Sequence, residues 1–327
     1  MGMLKPTYIK WRTGDDNHLA GEMRIMKHLL LVGAIILALG SFAILSNAKV
    51  PVKNEALYQQ IKSYSEQHEI KPIDAKVDRV WKAMPGYNGL RVDTQASYEK
   101  MMTAGKFDET KLVFEEVPPA VHLDDLEPQP IFRGNPEKPM VSLLINVAWG
   151  NEYIPPILKI LNEHEVKATF FFDGSWVKNN PDLAMRIYNE GHEIGNHAYS
   201  HPDLQKRSRA ETREEIKKTN AVIFDTLSVQ PKWFGPPSGS FNQQTVEVAH
   251  ELDMKMILWT VDTVDWRKPE PSEMVRRVVS KVENGSMILM HPTDPVAKGL
   301  GTMINDIKAK GLQLGTVSDL MSEKRID

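Results

Sequence analysis

From residue 140 onward the chain alternates short apolar runs with longer segments of helical period, and few architectures accept that alternation. Strand-like runs fall at 140–147, 168–172, 192–196, 255–259, 286–290 and 312–317. Helical segments fall between and after them, at 154–164, 181–190, 209–227, 243–252, 271–282 and 302–310. Parallel neighbours need a crossover, which a helix supplies, so the pattern predicts βα units closing a parallel sheet into a barrel. Such barrels carry their functional groups at the C-terminal ends of the strands. That rule selects Asn146, Asp173, His197, the Gly235-Pro236-Pro237 turn, Asp262 with Asp265, and His291.

Within that set His197 and His201 stand four residues apart in the stretch GHEIGNHAYSHPD, residues 191–203. Two imidazoles at this spacing can aim two nitrogens at one cation, or can simply hydrogen-bond within a loop. His192-Glu193 does not convert the stretch into a zincin helix, which needs HExxH, and Gly195 weakens any helix there. The chain has no cysteine, so a metal could rest only on nitrogen and oxygen, and neither a disulfide framework nor a cysteine nucleophile is available. A net charge of -3 excludes the basic footprint that nucleic acid requires.

Residues 1–22 are polar and aperiodic and read as a disordered extension. Residues 23–27 are cationic and 29–45 almost uninterruptedly apolar, so 23–48 reads as a signal peptide or a signal anchor. Ser46-Asn47-Ala48 offers small residues for cleavage, and a retained segment would make the membrane a partner; either outcome places the remainder outside the cytoplasm. Met23 and Met26 are alternative starts of translation. Residues 50–126 read as a small α+β module, with helices near 54–68 and 94–104 and a strand at 112–114. The proline-rich run 127–139 reads as a linker to the domain at 140–327.

The segments INVAWGNE (145–152), VKATFFFDG (166–174), GHEIGNHAYSHPDL (191–204), FGPPSGSFN (234–242), LWTVDTVDW (258–266) and ILMHP (288–292) occur in one order. Together they resemble the polysaccharide deacetylases, the NodB-homology family 4 carbohydrate esterases, and the first segment is similar to the FDISWG form of the spore and cell-wall branch. The resemblance implies a distorted (β/α)7–8 barrel and metal-assisted hydrolysis of the acetamido group of a cell-wall glycan such as peptidoglycan. A divalent ion, usually Zn2+, would be held by His197 and His201, with His291 as general acid. Asp265 would hold His291 in its proton-carrying form, and Trp266 and Leu289 would line the pocket for the acetyl methyl. The turn Pro236-Pro237-Ser238 would face the substrate with a backbone N–H for an oxyanion.

The departures bear on activity. The family's first motif supplies a general-base Asp and a metal-binding Asp, whereas here Asn146 occupies the base position with Val147 and Ala148 after it. An amide takes no proton near neutral pH, which forfeits about 10² to 10⁴ in rate. The Arg that pairs with the base in the family is Gly235 here, and the Tyr of the same motif is Ser238. Matched loss of both partners fits a reshaped site, since the Arg alone would be an uncompensated buried charge. Asp173 and Glu152 are the carboxylates that could stand in. Three readings follow: a slow extracytoplasmic N-deacetylase, an inactive glycan-binding or structural wall protein, and a hydrolase of another small amide or ester.

Overall fold

The computed structural model describes residues 52–326. The expected extension at 1–22 and signal or anchor segment at 23–48 lie outside the described residues. Among the described residues no helix is long and apolar enough to cross a membrane. Two compact units are present, one of residues up to Lys62 with Thr94–Leu112, the other of Ser63–Asp93 with Val113 onward. In the first, the start of the helix Glu55–His68 buries Leu57 and Ile61, and the helix Thr94–Met101 buries Tyr98. The Tyr98 hydroxyl accepts hydrogen bonds from the backbone of Lys53 and Asn54 at 2.8 and 2.9 Å.

In the second unit β1 (Lys76–Asp78) pairs antiparallel with β2 (Lys82–Met84), and β3 (Gly89–Val92) with β4 (Phe114–Val117). The main sheet contains β5 (Met140–Val147), β6 (Thr169–Phe172), β7 (Glu193–Asn196), β8 (Trp233–Phe234), β9 (Lys255–Met256), β10 (Val261–Asp262), β11 (Met287–Met290) and β12 (Gln313–Gly315). Its order is β10-β11-β5-β6-β7-β8-β9, with every pairing parallel, so the sheet curls into the distorted barrel that the alternation predicts. β6 pairs with residues 144–147 of β5, while β12 pairs with 140–142.

Strand parity decides which side chains reach the barrel interior. Val141, Leu143, Ile145 and Val147 pack with Ile157, Leu161, Met303 and Ile307 of the helical layer. Met140 and Leu144 instead join Phe171, Ile257 and Met287 inside. The same parity turns Asn146 inward at the C-terminal end of β5. In β11, Ile288 and Met290 face the helices and Met287 the interior, which brings Leu289 to the inner mouth. Phe171 fills the interior against two glycines: a Cβ on Gly195 or Gly235 would lie 2.5 or 3.0 Å from its ring.

The run 127–139 is laced to this unit. Ile131 bridges Ile257 and Lys82, and the buried Asn135 donates to the Pro85 carbonyl at 3.0 Å. The Lys138 ammonium, whose burial pushes its pKa down to about 8, donates to the carbonyls of Asp319 and Ser322 at 2.5 and 2.6 Å. Some elements differ from expectation. The helix expected at 302–310 begins at Asp294, because Gly299 and Gly301 interrupt the apolar period in its first half. Gly299 is there for packing, since a Cβ would lie 2.9 Å from Met274 Cε. The last strand stops at Gly315, and a helix capped by Thr316 begins at Val317. Two residues of strand, Trp233–Phe234, precede the Gly235 turn, too short for any periodicity to signal.

Candidate active site

The C-terminal ends of β5, β7, β10 and β11 surround a cleft of ≈ 420 Å3. Asn146, Ala148, Trp149, His197, His201, Ser238, Trp259, Asp262, Trp266, Leu289 and His291 line it. The structure thus gathers Asn146, His197, His201, Ser238, Trp266, Leu289 and His291 from five separate segments. Pro236 and Pro237 frame the wall beside Ser238 without lining the cleft. The N–H groups of Gly239 and Ser240 donate within this turn to Pro236 and Pro237 at 3.0 and 2.9 Å.

His197 directly follows β7 and is fully buried, and its Nδ1–H donates to the Gly235 carbonyl at 2.7 Å. That bond fixes the tautomer and leaves Nε2 as a lone-pair donor. Burial, reinforced by His201, drives its pKa down to about 3, so the ring is neutral at physiological pH. His201 lies with its ring centroid 5.2 Å from that of His197, at 70°. The connecting loop holds Ala198 and His201 in the left-handed region, at φ 62° and 54°. Two side chains keep it there: Asn196 Oδ1 accepts from the Ala198 N–H at 2.8 Å, and the Glu215 carboxylate accepts from the N–H groups of Tyr199 and Ser200 at 2.9 and 2.8 Å.

The opposite wall carries His291 and Asp265. The His291 Nδ1–H donates to Asp265 Oδ1 at 3.0 Å, and the His291 backbone N–H to Oδ2 at 3.0 Å. Hydroxyls of Thr263 and Thr293 complete the carboxylate's shell at 2.8 Å each. Burial pushes the Asp265 carboxyl up, but His291 and the two hydroxyls together outweigh it and hold it below its ordinary value. The pair leaves Nε2 of His291 free to face the cleft. Val264, just before Asp265, is left-handed at φ 53°, a costly conformation for a β-branched residue and one that aims the carboxylate. The Trp149 ring lies nearly parallel to His291, 9° and 5.9 Å between centroids. Gly150 follows at φ +82°, where a Cβ would lie 2.1 Å from the Pro292 carbonyl oxygen, so only glycine closes this turn.

Neither stand-in carboxylate joins the histidines. Asp173 is buried and committed to the helix Gly174–Asn179, where its Oδ1 accepts from the Trp176 N–H at 2.9 Å and the Ser175 hydroxyl at 2.5 Å. Glu152 lines the adjoining ≈ 860 Å3 cavity beyond Trp149 and Trp266. Among the described residues no set of three His, Asp or Glu side chains converges to hold a metal. Catalytic zinc rests on three protein ligands, so two imidazoles beside an amide do not fit a hydrolytic ion. Trp149 and Trp259 escaped the sequence reading because an aromatic near a turn carries no spacing signal. Glu215 escaped it because a carboxylate bonded to backbone N–H groups leaves no periodic signal.

A family model for polysaccharide deacetylase matches residues 133–257. An uncharacterized Bacillus subtilis protein, YlxY, is 52% identical over 277 residues, 85% of this chain and 87% of the relative. A Bacillus cereus peptidoglycan-N-acetylglucosamine deacetylase is 34% identical over 199 residues, 59% of this chain and 72% of the enzyme. Among solved structures, a family 4 carbohydrate esterase pseudoenzyme from Bacillus anthracis superposes with a TM-score of 0.77 at 48% identity, covering 83% of this chain and 96% of that one. A mutant of the same protein with restored enzymatic activity matches at a TM-score of 0.77 and 47% identity. With its parallel barrel, its strand-end cleft and relatives this similar along most of their length, the chain belongs to the polysaccharide deacetylase family.

Proposed function

We propose that the cleft binds an N-acetylated cell-wall glycan outside the cytoplasm without turning it over. The observation that carries this reading is Asn146: a neutral amide at the mouth of β5, beside two histidines that, among the described residues, no third side chain joins in a metal-holding set. Without a base to take a proton from water, the chemical step loses about 10² to 10⁴ in rate. Similarity to the Bacillus anthracis pseudoenzyme supports the same conclusion. His197 and His201 are the residues that would hold a Zn2+ ion, weakly, and Trp266 and Leu289 would receive the acetyl methyl. In this reading residues 23–48 export the chain or tether it to the membrane, and residues 50–126 position it at the wall.

A second reading, residual N-deacetylase activity, is favoured by the His291–Asp265 pair. Its geometry is that of a general acid, with the carboxylate bonded to both the ring and the backbone of the histidine. The test is acetate release from chitooligosaccharides and muropeptides by the full chain with added zinc, beside Asn146→Asp and His291→Ala. Recognition without turnover predicts no release by the parent and measurable release by Asn146→Asp. Release by the parent that disappears in His291→Ala establishes the second reading instead.

A further inference from the structure

Trp149 and Trp266 stand between two hollows. Both line the cleft of ≈ 420 Å3, and both also line the adjoining cavity of ≈ 860 Å3, so the two spaces share a wall. These rings are 47% and 51% exposed, large apolar faces left half in water at a common rim. The hollows differ in charge. Apart from its histidines the cleft carries one charged side chain, Asp262, and no lysine or arginine. The cavity carries Glu152, Glu270, Asp294, Lys268 and Lys298, besides Asp265, whose carboxylate is spent on His291. Lys298 pairs with Asp294 at 2.8 Å, whereas among the described residues the side chains of Glu152, Glu270 and Lys268 form no ion pair. Charges of both signs therefore stand uncommitted on one wall of a cavity whose volume lies within the range of ligand sites, about 300–1,000 Å3.

The segments that follow β5, β10 and β11 build this cavity, and the middle one is held in costly backbone. Val264 and Lys268 bracket the turn Asp265–Arg267, both left-handed at φ 53° although neither is glycine, and the turn delivers Trp266 and Lys268 to the cavity wall. Peptidoglycan is divided as the two hollows are: an uncharged strand of N-acetylated sugars carries short peptides, amide-linked through lactyl groups on alternate sugars, whose free carboxylates and amine are charged at neutral pH. We propose that the cavity receives this peptide stem while the glycan occupies the cleft, so that the ligand is stem-bearing peptidoglycan rather than a bare N-acetylglucosamine polymer. Lys268 and Lys298 face the carboxylates of the stem, Glu152 and Glu270 its ammonium, and Tyr153 with the shared tryptophans covers its aliphatic parts. A neutral sugar chain running on into the cavity would give these lysines no anion and these carboxylates no cation. The proposal rests on the glycan-binding reading above and names the form of glycan which that reading leaves open.

The test is calorimetric titration of the full chain with a peptidoglycan tetrasaccharide carrying its tetrapeptide stems, with the same tetrasaccharide stripped of them, and with chitotetraose. The parent should bind the stem-bearing tetrasaccharide at least about tenfold more tightly than either stem-free probe. Lys268→Asn, which keeps a residue at ease in the left-handed region, and Glu270→Gln should each reduce that preference about threefold, and the two together should remove most of it. Affinity for chitotetraose should not change in any of these variants. Both side chains are exposed, so thermal melts should match the parent and show that each variant is folded. Equal affinity for the three probes overturns the stem site and leaves glycan binding standing. A preference that survives both substitutions overturns its placement in this cavity. No binding of any probe overturns the glycan-binding reading and this proposal with it.

Discussion

Gly235 and Phe171 show how closely one side chain can fill the barrel interior. A Cβ at 235 would lie 3.0 Å from Phe171 Cδ1 and 3.3 Å from Cγ, so the ring leaves little room for any side chain at this turn. Gly235→Ala should therefore cost about 1–3 kcal/mol through overpacking, read as a lowered urea midpoint. Adding Phe171→Leu should recover part of that loss. His192 supports a second prediction at this scale. It is buried, its Nδ1 accepts the Ala168 N–H at 3.2 Å, and burial followed by the nearby Lys167 lowers its pKa from 6.5 to about 4. The unfolded chain takes up the proton first, so stability is fully present above pH 6.5 and falls as pH drops from 6.5 toward 4. His197 adds a loss in the same direction. Unfolding free energies from urea melts should fall across this window by on the order of 3 kcal/mol per histidine, and His192→Gln, which can still accept the Ala168 N–H, should flatten the slope. The sequence names both histidines, but only their burial says that they are neutral.

At the scale of elements, the helix Arg209–Leu227 positions the histidine loop. Its start is signalled in the sequence: Ser208 and Glu211 form a capping box, with the Ser208 N–H donating to the Glu211 carboxylate at 2.8 Å. Two turns further on, Glu215 reaches the N–H groups of Tyr199 and Ser200 and the Ser200 hydroxyl. Ala198 and His201 are left-handed without being glycine, so the loop is held rather than relaxed. Glu215→Ala should speed amide exchange at residues 199 and 200 by about tenfold or more, following the loss of hydrogen bonds worth about 1 kcal/mol each. Ser208→Ala should lower global stability by about 1 kcal/mol and leave those amides otherwise unchanged. Helix periodicity made this element legible at its full length, 209–227. Its hold on a loop nine residues upstream of its start was not legible, because carboxylate-to-backbone bonds leave no periodic trace.

For the whole molecule, the last segment completes the barrel floor. Val317, Leu320 and Met321 are buried in the interior cluster with Leu144, Phe171 and Trp233, and the Val317 N–H donates to the Thr169 hydroxyl at 2.8 Å. Removing residues 317–327 should expose this cluster at a cost of about 1.5–3 kcal/mol for each large side chain, comparable with the total stability of a domain. The shortened chain should show no cooperative denaturation transition by circular dichroism. The alternation of apolar runs and helical periods by itself determined the parallel barrel, because a parallel neighbour requires a crossover and a curled sheet buries both faces of its strands. Motif order likewise determined the family, and strand ends located His197, His201, Asp265 and His291. Tertiary structure alone decided that Asp173 is spent on a helix cap, that Glu152 belongs to another cavity, and that Asn146 lines the same cleft as His197, His201 and His291. The reason is physical: sequence spacing fixes which strand end a side chain occupies, whereas its partners and its burial arise from segments far apart in the chain that only the curled sheet brings together.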